Sequence, residues 1–454
     1  MTTPTNLTQK IGLCSTALAL LLTGQTWAAV CAPMDREQTF LSSQESSFDQ
    51  QGWMKGSPPP AEKTIRLADG SFWSFPALRY SVAHMSEFLP TTLVNRRNTA
   101  STPLDYAAGA PIESITFTPW GYDKPIPWSA GLLETYTDGI LVLHKGKVIY
   151  ERYLGGFKDY HRHALMSVTK SITGTLALDL VHKGLLDESK PVSHYIPELA
   201  GSGFGDAKVR DVLNMTTGID FDEDYADPKS EIWTFSAAGN PLPKPAGYTG
   251  PTGYYEYLPS VKKSGEHGQA FGYKTANTEV AGWLVARVTG MSVADYLEEQ
   301  VWSKLGVERD AFFQVDEKGT PFAGGGLNMS LRDLARFGEL VRNAGKHNGK
   351  QILHQDILKD IMAGGEHPAF TQPQHEDMEG WSYRSMWWVT GKPGGAFMAR
   401  GVHGQNLYID PENELVIARF ASHPIAANSA NDCFTLPAYE ALVRLVKGAS
   451  RSSH

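Results

Sequence analysis

The pattern of hydrophobic and polar residues predicts strands at two places far apart in the chain. Gly139–Tyr153 alternates apolar and polar residues across a Lys145-Gly146 turn, which is typical of a β-hairpin. Asn406–Ile409 and Leu415–Phe420 flank residues 410–413, whose composition favours a turn, and they predict a second hairpin. Strands are therefore expected near both ends of residues 131–447.

The residues between these hairpins repeat at helical spacing. Apolar residues recur every fourth position from Val168 to Leu180, and Gly184 is a natural stop. Further helices are predicted at Glu279–Val288 with Asn277 as its cap, at Leu334–Val341 behind the capping pair Ser330 and Asp333, and at Ala438–Lys447. Strands at both ends and helices between them predict one antiparallel sheet with an inserted helical region, an α+β architecture.

Residues 29–130 show a different pattern, since long periodic segments are few. The segment is rich in Pro, Ser and Thr, with Pro58–Pro60 as a rigid break and Leu78–Pro90 predicted as one short helix. We predict an extension wrapped on the core rather than an independent domain, followed by a single hydrolase domain at 131–447.

The first 28 residues are typical of an export signal. Lys10 precedes the apolar run Ile11–Leu22, and small residues end at Ala28 and Ala29, where cleavage is expected. The run is too short to cross a bilayer easily, although a membrane anchor or a disordered tail remains an alternative. The predicted location is periplasmic or secreted, and no later segment is apolar for long enough to span a membrane.

Composition narrows the possible functions. The 454 residues are 41% hydrophobic and 20% charged with a net charge of -8, which permits a large core and argues against a nucleic-acid partner. Cys31 and Cys433 would remain after export, either paired or free. No Cys/His cluster, HExxH or Walker A pattern is present, so no metal or cofactor is expected. A GxSxG elbow is also absent, which disfavours an α/β-hydrolase.

The candidate chemistry is a Ser-x-x-Lys tetrad, Ser167-Val168-Thr169-Lys170. The motif alone is weak, because Ser260-Val261-Lys262-Lys263 matches it as well. Ser167, however, begins an apolar helix, which would place Lys170 one turn away on the same face. A desolvated lysine can take the proton of a serine hydroxyl, and the helix N-terminus favours a developing oxyanion. The alternative is that Ser167 is a plain helix cap.

Five segments together resemble the serine β-lactamase and penicillin-binding protein superfamily. The resemblance is strongest to its branch of class C β-lactamases, family VIII-type esterases and 6-aminohexanoate-dimer hydrolases, the last of these most of all. The segments are HALMSVTKSITGTLALDLVHKGLL, VRDVLNMTTGIDFDEDY, FGYKTANTEVAGWLVARVTG, GGGLNMSLRDLARFG and ARGVHGQNLYIDPENELVIARF. The resemblance implies a β-lactamase/transpeptidase-like fold: an antiparallel sheet flanked by helices, with an inserted all-helical subdomain.

The resemblance also implies a mechanism in which Ser167 is acylated and Lys170 and Tyr273 move protons. Tyr273-Lys274-Thr275 stands where the family has Tyr-x-Asn or Tyr-x-Ser. Arg400-Gly401-Val402 replaces the usual Lys-Thr-Gly, so the Val402 N–H would join the Ser167 N–H in an oxyanion hole. Arg400 or His403 would substitute for the missing lysine, although a structural role for His403 is an equal alternative.

Two further groups have open assignments. The acidic loop 222–225 is either a solvated turn or a site for a substrate amine, with Tyr225 as a substrate contact by resemblance. Trp381, Trp387 and Trp388 either pack in the core or line a cleft. The expected substrate is a small amide or ester, with two alternatives for the function: a β-lactamase or D-Ala-D-Ala carboxypeptidase, and a non-catalytic peptide-binding homologue. Oligomeric state is not predicted.

Overall fold

Strands from both predicted hairpins meet in one seven-stranded antiparallel sheet, the central sheet. The computed structural model describes residues 40–107, 111–225, 227–244 and 246–451. In spatial order the strands are Ser382–Arg384, Trp387–Val389, Phe397–Gly401, Gln405–Asp410, Leu415–Ala421, Thr137–His144 and Lys147–Tyr153. Pairing of Leu415–Ala421 with Thr137–His144 joins the two hairpins, so the predicted hairpins and their common sheet are confirmed.

The central sheet is covered on both faces. Leu407 lies on one face, where Gly338 of helix Leu331–Arg342 approaches it so closely that a Cβ on Gly338 would lie 2.7 Å from Leu407 Cδ1. Tyr408, the next residue, points to the opposite face and packs on Tyr439 of the C-terminal helix. Because successive side chains of a strand alternate between faces, helices lie above and below the sheet.

Two long helices beside the sheet carry the candidate chemistry. The Ser167 helix, Val168–His182, is buried from Val168 to Leu180, and the Tyr273 helix, Thr275–Thr289, is buried from Thr275 to Val285. A helix buried on every side needs apolar or internally satisfied residues all round, which these sequences supply. The remaining α-helices are Phe48–Gln51, Leu78–Ser81, Trp128–Glu134, Val192–Tyr195, Val209–Leu213, Glu231–Gly239, Tyr254–Tyr257, Val293–Leu297, Leu331–Arg342, Ile357–Met362 and Ser429–Arg451.

A four-stranded antiparallel sheet, the side sheet, leads directly to the candidate nucleophile. Its strands follow the order Thr91–Val94, Ala311–Gln314, Leu327–Met329 and His163–Ala164. The last strand ends three residues before Ser167, and the Leu165 N–H donates to the Leu327 carbonyl at 2.9 Å. The side sheet therefore fixes the chain just before the Ser167 helix begins.

The segment before the central sheet docks through a buried ion pair. Arg79 is fully buried, and its Nη2 lies 2.7 Å from Oδ1 of Asp138 on a central strand. The prediction that Leu78–Pro90 forms one helix is wrong, because the chain forms the helix Leu78–Ser81 and then a separate 3-10 turn, Met85–Glu87. The boundaries proposed for the extension and the hydrolase domain stay predictions.

Two helix starts differ from the sequence-based expectation. The Tyr273 helix begins at Thr275 with Lys274 at its cap position, so the predicted capping by Asn277 is wrong; Asn277 is buried and accepts a hydrogen bond from Thr217 Oγ1 at 2.8 Å. The C-terminal helix begins at Ser429 and continues through Pro437. Packing of Leu436 and Tyr439 in the core compensates for the backbone hydrogen bond that a proline removes.

Some expectations lie outside the part of the chain that the structure describes. These are the export signal, its cleavage site and Cys31. Cys433 is disulfide-bonded, but pairing with Cys31 stays a prediction. None of the helices within the described ranges is both long and apolar enough to cross a membrane.

Candidate active site

Ser167 lies at a sharp bend between the side sheet and its helix. Met166 has a left-handed backbone (φ 48°), which is costly for a residue with a side chain and turns the chain into the helix. Ser167 occupies the cap position, yet its side chain makes no capping hydrogen bond. The hydroxyl group therefore does not cap the helix N-terminus, in contrast to the alternative that Ser167 is a plain helix cap.

Lys170 reaches Ser167 from one turn further along the same helix. Its Nζ lies 3.1 Å from Ser167 Oγ and donates to the Gly324 carbonyl at 2.7 Å. The side chain is almost completely buried, at 1% exposure, and burial lowers the pKa of Lys170 to about 8, although Glu223 and Glu279 oppose the shift. An amine with this pKa is unprotonated in a useful fraction of molecules near neutral pH.

Tyr273 lies on the other side of Ser167, just before the Tyr273 helix. Ser167 is near enough to the Tyr273 hydroxyl to oppose the rise of its pKa, and the Lys170 Nζ lies 5.2 Å from the ring centre of Tyr273. Burial, followed by the charge of Glu223, raises the pKa of Tyr273, so the phenol is protonated at neutral pH. Trp388 stacks on this ring at 5.6 Å, which fixes its plane. The structure thus brings the three predicted catalytic residues together.

Gly401 ends a central strand directly against Ser167. A Cβ at this position would lie 2.7 Å from the Leu165 carbonyl oxygen and 3.1 Å from the Ser167 nitrogen, so only glycine permits the approach. Val402 follows and packs against an apolar cluster that includes Met166 and Ala164. This is the place where the sequence predicted an oxyanion hole.

His403 is hydrogen bonded to the segment that follows strand Leu415–Ala421. It has a left-handed backbone (φ 62°), its Nδ1 lies 2.7 Å from the His423 carbonyl oxygen, and its N–H donates to Ala426. Burial lowers the pKa of His403, so the ring is neutral at neutral pH. These contacts give His403 a structural role, and its predicted part in substrate binding stays a prediction.

Arg400 is already paired. Its guanidinium contacts the Asp432 carboxylate and lies 5.1 Å and 5.7 Å from the ring centres of Trp388 and Trp381. Asp432 therefore competes with any substrate carboxylate for Arg400. Trp381 and Trp387 are buried in the core, where Trp387 donates to Thr175, whereas Trp388 stacks on Tyr273.

The acidic loop has a role that neither interpretation contained. Glu223 accepts hydrogen bonds from the Thr275 N–H at 2.6 Å and the Thr275 hydroxyl at 2.8 Å. A carboxylate at a helix N-terminus is favourable, so Glu223 caps the Tyr273 helix from a distant loop. Tyr225 is 42% exposed, and its hydroxyl donates to Glu223 at 2.8 Å. It therefore lies at the solvent-exposed edge of the acidic loop.

The sequence reasoning missed Glu279. This residue is fully buried on the Tyr273 helix and accepts hydrogen bonds from the N–H groups of Ala323 and Gly324. The available signal was a charged residue inside an apolar helical stripe, between Ala276 and Trp283. The Gly324 carbonyl also accepts a hydrogen bond from the Lys170 amine, so the glycine run 324–326 belongs to the site.

Comparisons with known proteins identify the family of the chain. Residues 130–438 match the β-lactamase family model. The chain is 37% identical over 356 residues to a 6-aminohexanoate-dimer hydrolase of Paenarthrobacter ureafaciens, which covers 78% of this chain and 88% of that protein. A solved structure from Bacillus anthracis, assigned as a 6-aminohexanoate-dimer hydrolase, is 28% identical, has a TM-score of 0.75 and covers 86% of this chain and 99% of its own.

A more distant structure shares the fold. It is a hydrolase with promiscuous acyltransferase activity, 16% identical with a TM-score of 0.56, covering 69% of this chain and 96% of its own. The predicted fold class, an antiparallel sheet flanked by helices, is confirmed. The chain belongs to the β-lactamase family and is a serine hydrolase of amide or ester bonds.

Proposed function

We propose that the chain hydrolyses small linear amides or esters through an acyl-enzyme on Ser167, as a 6-aminohexanoate-dimer-hydrolase-like enzyme. The observation that carries the proposal is the 3.1 Å contact between the Lys170 amine and the Ser167 hydroxyl. The named relatives support the substrate class, since two of them carry that name. The mature enzyme would be exported, with a signal at residues 1–28.

Acylation begins when the neutral Lys170 amine takes the proton of Ser167. Ser167 Oγ then attacks the substrate carbonyl carbon, and negative charge develops on the carbonyl oxygen. The N–H groups of Ser167 and Val402 stabilise this charge, with the helix N-terminus behind them. Collapse breaks the bond to the leaving amine or alcohol, which receives a proton from the Tyr273 hydroxyl. Lys170 returns its proton to Tyr273.

Deacylation reverses these proton transfers with water in place of the leaving group. Water loses a proton to the same Lys170–Tyr273 pair as its oxygen attacks the acyl carbon. The bond to Ser167 Oγ breaks, and Oγ takes the proton back. The products are an acid and the free enzyme, so the cycle needs neither a metal ion nor an oxidant to balance.

The test is intact-mass analysis of the purified protein after treatment with a fluorophosphonate, followed by peptide mapping. One adduct on Ser167 is expected. Ser167→Ala should abolish the adduct, whereas the matched variant Ser260→Ala should retain it. An adduct on Ser260, or none in the wild type, would overturn the assignment of the nucleophile.

Substrate class is tested by comparing kcat/KM for the linear dimer of 6-aminohexanoate, a p-nitrophenyl ester and nitrocefin. We expect the linear amide or the ester to be preferred over nitrocefin. Arg400 is paired with Asp432, and this pairing competes with binding of the β-lactam carboxylate. Faster turnover of nitrocefin would favour a β-lactamase instead.

Export is tested separately, by measuring the N-terminal mass of protein recovered outside the cytoplasm. Protein there that still carries residues 1–28 would contradict cleavage.

A further inference from the structure

Glu279 and Lys170 contact the same residue from opposite sides. Glu279 Oε1 accepts the Gly324 N–H at 2.7 Å, and its Oε2 accepts the Ala323 N–H at 3.2 Å. The Gly324 carbonyl in turn accepts the Lys170 amine at 2.7 Å. A continuous chain of hydrogen bonds therefore runs from the buried carboxyl group through one glycine to the candidate base.

Gly324 fits tightly in this chain. A Cβ on Gly324 would lie 2.8 Å from Thr275 Cγ2 and 3.0 Å from Glu279 Oε1. The backbone of Gly324 is therefore held against the Tyr273 helix by its lack of a side chain as well as by Glu279. Its carbonyl has little freedom to move, and the Lys170 amine is oriented accordingly.

The two groups also act on each other through charge. Burial raises the pKa of Glu279 to about 8, while the two amide donors and then Lys170 oppose the shift. Asp316, Tyr254 and Tyr255 are the other titratable groups around this carboxyl group. Around Lys170 they are Glu223 and Tyr273. Titrations of two interacting buried groups are coupled, so each proton affinity depends on the other group.

We propose that Glu279 is a positioning residue for Lys170: it fixes the Gly324 carbonyl that orients the amine, and its negative charge favours the ammonium form of that amine. This inference rests on the proposed function, in which Lys170 activates Ser167. The charge of Glu223 acts on Lys170 more strongly than that of Glu279, but the Glu223 carboxylate is held as the cap of the Tyr273 helix. Glu279 is the carboxyl group connected to the amine through a hydrogen-bonded backbone.

The test is the pH dependence of the Ser167 labelling rate by a fluorophosphonate in wild type and Glu279→Gln. Removing the charge removes an interaction that favours the ammonium form. The acidic limb of the profile should therefore move to lower pH by about 0.5 to 1 unit. Glu339→Gln, which changes a carboxylate paired with Arg342 on another helix, is the matched control and should keep the wild-type limb.

The outcomes separate this inference from the proposed function. No adduct on Ser167 in the wild type would overturn the proposed function itself. A wild-type adduct together with an unmoved limb in Glu279→Gln, or a limb moved to higher pH, would overturn the role of Glu279 alone. A uniform loss of rate at every pH with the limb unchanged would indicate a purely structural residue.

A second measurement decides the question if Glu279→Gln does not fold. The wild-type protein is labelled with ¹⁵N at lysine side chains, and the Lys170 resonance is identified by its loss in Lys170→Ala. Coupling to a carboxyl group of similar proton affinity should broaden the Lys170 titration beyond one simple step. A single step of ordinary width would overturn the proposal.

Discussion

The two Ser-x-x-Lys tetrads of this chain have the same spacing and different environments. Ser167 begins a long buried helix, and the buried Lys170 side chain places its amine 3.1 Å from the Ser167 hydroxyl. Ser260 ends a short 3-10 turn and donates to the Tyr257 carbonyl at 2.6 Å. Lys263 turns outward to Asp206, and that hydrogen bond raises the pKa of Lys263. Desolvation of the lysine, rather than the motif, separates a base from a surface cation.

The largest expected effect compares the two serines. Ser167→Ala should lower kcat/KM for a linear amide or ester by at least about 10⁴-fold, because the variant lacks the hydroxyl group that becomes acylated. Ser260→Ala should stay within about twofold, as expected of a surface change. Steady-state kinetics on both variants measures the difference. Equal losses in the two variants would show that neither tetrad supplies the nucleophile.

The next effect compares the two lysines. Lys170→Ala should reduce the rate of acylation by about 10² to 10⁴-fold, the usual contribution of a general base. Lys263→Ala should change the rate little, since its amine is held by Asp206. Single-turnover kinetics with a chromogenic ester isolates the acylation step. An unimpaired burst in Lys170→Ala would mean that another group activates Ser167.

A smaller effect is expected at Tyr273. Tyr273→Phe keeps the ring against Trp388 and removes only the hydroxyl on the Ser167 side of the site. We expect a loss of about 10²-fold for a substrate with a poor leaving group such as an alkyl amide, and a much smaller loss for a p-nitrophenyl ester, which leaves without protonation. Equal losses on both substrates would contradict the assignment of Tyr273 as the proton donor.

The comparison also shows what the sequence could predict. The hairpins and the Ser167 helix followed from periodicity, Ser167 and Lys170 from a local motif, and Tyr273 only from the resemblance to a family. Glu223 capping a helix that begins at Thr275, and Glu279 holding Gly324, depend on contacts between distant segments. No local pattern records such contacts. The C-terminal helix was predicted too short for the same reason, since core packing at Leu436 outweighs the local signal of Pro437.

The last prediction concerns stability and follows from the cost of burying Lys170. Its pKa falls from 10.5 to about 8 on folding, so the unfolded chain binds the proton more tightly than the folded one. This difference in pKa destabilises the folded state by about 3 kcal/mol below pH 8. The cost disappears as the pH rises above the pKa of Lys170 in the unfolded chain. Lys170→Met avoids the cost but leaves the Gly324 carbonyl without its donor, a loss of about 1 kcal/mol.

Lys170→Met should therefore lose most of its activity and yet be more stable than the wild type by about 1 to 2 kcal/mol at neutral pH. The gain should shrink as pH rises from about 8 towards 10.5, because wild-type Lys170 then folds and unfolds without a proton. Denaturant unfolding at several pH values measures both features. Lys263→Met should show no gain, since its lysine is more readily protonated in the folded state. A Lys170→Met variant that is destabilised at neutral pH would show that the site tolerates the buried ammonium at no cost, and the environment would then not distinguish the two tetrads.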